Sequence, residues 1–131
     1  MIRALSALLA ASAALSAASP SVTLATAPLQ TAPNARFVRV TILNAGPSVA
    51  LSNGHFYATP ASNSASPLPT SFDNCNSSVL ATGWICSVTL TLPSPTTTVW
   101  FSITGTSATG LRGALQITDI NGNTLAVTDL R

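Results

Sequence analysis

The chain has 131 residues, room for one domain, and only 6% of them are charged, against about 25% in an average soluble domain. Lys and Glu are absent, while 17 Ser and 18 Thr supply the hydroxyls that must solvate the surface. Five Arg, three Asp and one His give neither a phosphate-neutralising cluster for nucleic acid nor a ligand set for a metal, and 47% hydrophobic content at low charge is the reverse of a disordered composition.

The chain opens on Met1-Ile2-Arg3, a short basic start, followed by an uncharged Ala/Leu-rich run to Ala18 and a helix-breaking Pro20. Basic, apolar and small residues in that order predict a secretory signal peptide over residues 1–27. Two small-residue sites can end it: Ser16-Ala17-Ala18, with cleavage after Ala18, and Ala25-Thr26-Ala27, with cleavage after Ala27. The second is the stricter A-x-A pattern, but Pro28 is an awkward residue behind a peptidase cut. A retained membrane anchor or pilin-type core helix is the rival reading. Residues 4–19 would span about 24 Å as a helix, short of a bilayer core of about 30 Å. The domain that remains is residues 28–131, expected to be secreted, periplasmic or at the cell surface, touching the membrane only transiently through the signal. A pair of cysteines, Cys75 and Cys86, in an exported chain predicts a disulfide.

Beyond Pro33 the apolar residues alternate at period 2. Residues 36–43 put Val38, Val40 and Ile42 on one face, and Asn44-Ala45-Gly46-Pro47 makes a turn. Short strands follow at 49–51 and 55–59, separated at Asn53-Gly54, and then a Ser/Pro/Ala-rich loop runs over 60–69. Residues 84–92 read most clearly, with Trp84, Cys86, Val88, Leu90 and Leu92 on one face and Ser87, Thr89 and Thr91 on the other. Pro93-Ser94-Pro95 ends that strand; Thr97, Val99, Phe101 and Ile103 repeat its pattern. Residues 111–118 and 124–130 flank Asn121-Gly122-Asn123, a strong hairpin signal. Six or seven such strands predict an all-β antiparallel sandwich. Its expected inner faces include Leu51, Phe56, Trp84, Leu115, Ile117, Leu125 and Val127 beside the residues already placed inward.

Two stretches carry a family resemblance. One is Val40-x-Ile42-x-Asn44-x-Gly46 followed by Val49-x-Leu51; the other runs from Cys75 through Val79-Leu80-Ala81-x-Gly83 to Cys86-x-Val88-x-Leu90-x-x-Pro93. Together they resemble the bacterial immunoglobulin-like repeats of the ASH type, found in large surface proteins of choice-of-anchor architecture. The resemblance covers roughly residues 38–128. It implies an immunoglobulin-like sandwich of about seven strands, outside the cytoplasm, with a structural or adhesive role and no catalytic residues to carry over. Trp84-Ile85 stands where the family carries small polar residues, which makes it a candidate contact surface.

Catalytic constellations fail on inventory. His55 is the one imidazole base, no G-x-S-x-G occurs, and Asp73, Asp119 and Asp129 sit in or beside turns. Asp119-x-Asn121-x-Asn123 echoes a calcium loop, but Thr124 and Leu130 occupy the places of its Gly and Glu. No enzyme activity, cofactor or metal is therefore expected. Asn76-Ser77-Ser78 is a sequon, making Asn76 a candidate for glycosylation in a host that performs it. The remaining lead is aromatic: Trp84, Trp100, Tyr57 and His55 are the candidate contacts for a ligand or partner, and Trp100 should face outward because Phe101 faces in.

The composition fits a non-catalytic structural or adhesive module of the cell envelope or surface. Its partner would be another protein or a second copy, with a glycan as a further candidate and nucleic acid excluded. Arg36, Arg39 and Arg112 are the only charges that would discourage edge-to-edge pairing, and residues 21–26 alternate like a strand one copy can donate to another. The alternatives are a soluble ligand-binding module for glycan or protein, and a pilin-like filament subunit that keeps its N-terminal helix.

Overall fold

A computed structural model describes residues 21–59, 67–93 and 98–131. The expected signal core and the cut after Ala18 lie outside the described residues, as does most of the loop over 60–69. Among the described residues there is no helix, and every pairing between strands is antiparallel.

Ten strands form in chain order: β1 (Val22–Ala25), β2 (Leu29–Gln30), β3 (Phe37–Asn44), β4 (Val49–Thr59), β5 (Phe72–Asp73), β6 (Ser78–Leu80), β7 (Ile85–Thr91), β8 (Thr98–Gly105), β9 (Leu111–Thr118) and β10 (Thr124–Leu130). The first sheet has the order β1-β8-β4-β6, with β2 continuing the β1 edge of β8; the second has the order β10-β9-β3-β7-β5. The expected sandwich is present, with ten strands in place of about seven. The surplus comes from β1, β2, β5 and β6, which are two to four residues long; residues 21–26 alternate but read as a strand for a neighbouring copy, and the other three are too short for alternation to reveal.

The core lies between the two sheets, one row per cross-strand triplet. Val38, Leu90 and Ile117 form one row of the second sheet and Val40, Val88 and Leu115 the next, all buried. The first sheet answers with Leu24, Leu51, Phe56, Val99, Phe101 and Ile103. Phe56 and Phe101 sit opposite each other, with ring centroids 4.9 Å apart in a tilted arrangement that aromatic quadrupoles favour. Cys75 and Cys86 form the expected disulfide, with both cysteines buried and Cα atoms 5.2 Å apart. It ties the crossover from β5 to β6, and so from one sheet to the other, onto β7.

Two expectations need correction. Trp84 is 63% exposed, because β7 begins only at Ile85 and Trp84 still belongs to the preceding turn, its N–H donating to the Ala81 carbonyl. Val127 also faces out: a register shift between Thr124 and Ala126 consumes one residue, so Ala126 opposes inward-facing Ile117 and Val127 opposes outward-facing Gln116. Within the segment read as signal, β1 pairs with β8 from Val22↔Gly105 to Ala25↔Ser102.

The gap expected at Asn53-Gly54 is a bulge inside one continuous strand. The register of β4 on β8 shifts between Ser52 and His55, and Asn53 takes a positive φ of 55°. A Cβ at Gly54 would come within 2.9 Å of Ile103 Cδ1, so a larger residue there would push on the buried Ile103. The β9–β10 hairpin closes over Asp119, whose carboxylate accepts from the Asn121 and Asn123 amides and from Asn123 Nδ2. The Asn123 side chain, then its backbone amide, hold that carboxyl below its ordinary value of 3.8. Asn121 and Asn123 thus serve the turn, as the hairpin reading requires.

Candidate functional site

The bulge in β4 fixes which side chains leave the first sheet outward. After it, Phe56 and Ala58 point into the core, while His55, Tyr57 and Thr59 are half-buried on the outer face. On β8 the same alternation buries Val99, Phe101 and Ile103 and turns Thr98, Trp100, Ser102 and Thr104 outward. Tyr57 and Trp100 are direct cross-strand partners, with ring centroids 5.7 Å apart and planes inclined by 18°, a stacked pair.

That pair is held by what lies beneath it. Phe56 and Phe101, the chain neighbours of Tyr57 and Trp100, form the corresponding buried pair, so the outer stack rests on backbone fixed from the core side. His55 opposes Ser102, and Ser102 opposes Ala25; Thr59 opposes Thr98, and Thr98 opposes Gln30. The stack is therefore bordered by hydroxyls, an amide and an imidazole. None of the five strands of this sheet contains Arg or Asp, so the face is neutral apart from His55.

The structure brings together three of the four aromatic or imidazole candidates. Trp84 belongs elsewhere, beside Ile85 at the start of β7 in the second sheet, where Ile85 opposes Leu43. Asn76 is a structural residue. Its Oδ1 accepts from the Gly54 amide at 2.6 Å, and its Nδ2 donates to the Gly54 carbonyl at 2.8 Å and to Asp73 Oδ2. One Nδ2 hydrogen is engaged on the β4 bulge and the other on Asp73, and a glycan on Nδ2 would replace one of them.

Sequence reasoning missed the residues that hold this face in place, Gly54 and Asn76 above all. Their hydrogen bonds span 22 residues of chain and leave no periodic signal. Asn44 is a third. Alternation gave it only a turn, yet it is fully buried and ties the β3–β4 turn, at Gly46 and Pro47, to Leu80 at the end of β6.

Among the described residues no group of three or more His, Cys, Asp or Glu side chains could hold a metal ion. What the outer face offers is an uncharged aromatic surface with hydrogen-bonding groups around it. No protein-family model, curated protein or solved structure matches the chain.

Proposed function

We propose that the chain is an exported, non-catalytic β-sandwich module with an adhesive role at the cell envelope or surface, binding a neutral glycan on the outer face of the first sheet. The observation that carries the reading is the Tyr57–Trp100 stack, raised on a face without Arg or Asp. A pyranose has one face of C–H bonds, slightly positive at hydrogen, which an aromatic π surface attracts. Its hydroxyls then meet the groups at the border of the stack, Ser102, Thr98, Gln30 and the His55 ring. A neutral face imposes no desolvated charge on a neutral ligand.

Export is supported by the basic-apolar-small order of the first residues and by the disulfide, a bond of oxidising compartments. The resemblance to ASH-type surface modules, carried by Asn44-x-Gly46 and the Cys75–Cys86 segment, supports the same placement.

Titration of intrinsic tryptophan fluorescence with a panel of neutral oligosaccharides tests the proposal. Trp100→Ala should weaken binding about tenfold or more, the scale of one lost aromatic stack. Trp84→Ala should leave it unchanged. The converse pattern, binding lost with Trp84 and kept without Trp100, overturns the assignment.

A further inference from the structure

We infer that export, on the reading just given, cuts this chain between Ala18 and Ser19 and leaves β1 on the folded protein, although Ala25-Thr26-Ala27 is the stricter recognition pattern. The inference rests on what residues 22–26 do in the fold. Leu24 is 9% exposed and packs in the core, opposite Ile103 of β8. Thr26, 5% exposed, donates its N–H to the Phe101 carbonyl at 2.9 Å and accepts the Phe101 N–H on Oγ1 at 2.9 Å. One residue thereby satisfies both backbone groups on the open side of a fully buried phenylalanine.

The same segment closes the seam between the sheets. Ala25 exchanges two hydrogen bonds with Arg131, at 2.7 and 2.9 Å, and Thr26 bridges to Leu130 of β10. A cut after Ala27 discards all of this: it bares the β8 edge from Ser102 to Gly105, empties the Leu24 site and leaves the Phe101 amide and carbonyl without partners.

The chemistry of the cut points the same way. A signal peptidase hydrolyses one peptide bond with water, leaving a carboxylate on the residue before the bond and an amine on the residue after it. Ser16 and Ala18 supply the small residues it accepts upstream, and the bond to Ser19 is an ordinary secondary amide. The bond from Ala27 to Pro28 is a tertiary amide with a restrained φ and no N–H.

The experiment is N-terminal sequencing and intact mass of the exported protein, made from the full chain in a secreting host. Ser19 at the N-terminus is the expected result. Pro28 there overturns the inference while leaving export standing; an unprocessed chain beginning at Met1 overturns both. Two variants sharpen the outcome. Ala18→Tyr should stop processing and accumulate precursor, whereas Ala27→Tyr, at an exposed position, should be processed normally. The reverse pattern refutes the assignment.

Discussion

Asn44 has no accessible surface, and its side-chain amide donates to the Pro47 and Leu80 carbonyls, each at 2.8 Å. Its Oδ1 accepts from the Gly46 amide at 2.9 Å, and its own carbonyl accepts from Gly83 at 2.6 Å. Gly46 follows from the same crowding, since a Cβ there would lie 2.6 Å from the Thr109 carbonyl oxygen. Asn44→Ala should leave the buried Leu80 carbonyl unsatisfied, remove the part-buried bonds to Pro47 and Gly46, and lower stability by about 1–3 kcal/mol, read from urea midpoints. Asn44→Asp should do at least as badly, because a carboxylate keeps the acceptor but cannot donate to either carbonyl. Only the local part of this role is legible in the sequence. Asn-x-Gly announces a turn by residue type, whereas the bond to Leu80 crosses 36 residues and needs the fold before it exists.

At the scale of elements, alternation is legible where a strand is long and one face is dry. The β9 and β10 bounds match the sequence reading, as does the inward set Val38, Val40 and Ile42 of β3. It misleads where parity is reset, by the bulge before Val127 and by the turn that holds Trp84. Edge protection also differs from expectation. Arg39 and Arg112 lie on β3 and β9, interior strands of the second sheet, so the edges are blunted by other means: β5 and β6 are short, and β10 carries a bulge and meets Ala25 at its far end. The disulfide reinforces the short elements. It closes a loop of about 12 residues, for which chain entropy gives roughly 3 kcal/mol. Reduction, or the double variant Cys75→Ala/Cys86→Ala, should lower the denaturation midpoint accordingly. Its first local effect should appear at the β4 bulge, because Asn76, which pins Gly54, is the next residue after Cys75. Hydrogen exchange at Gly54 reports it.

For the whole molecule, the pairing of the ends matters most. β1 is made first during synthesis, but its partners are β8 and Arg131, so the first sheet and the seam close only after nearly the whole chain is available. Composition could indicate a sandwich, but it could not indicate that residues 21–26 would be seated in their own chain. The same alternation that suits a strand for donation to a neighbour suits it for β8. The two uses are separable by experiment. A chain starting at Pro28 loses Leu24 from the core, about 2–5 kcal/mol for a large buried side chain, and leaves the Phe101 N–H unpaired, about 1–3 kcal/mol more. Set against a typical total of about 5–15 kcal/mol, that protein should be marginal, while one starting at Ser19 should unfold cooperatively at a much higher temperature. A synthetic peptide of residues 21–27 added to the shorter protein should raise its melting temperature in a concentration-dependent way, as a ligand of the native state must. The same peptide carrying Leu24→Asp should not, because it would place an unpaired carboxylate against Ile103. Equal stability of the two chains would show that β1 is an ornament on β8, and that the sandwich closes without it.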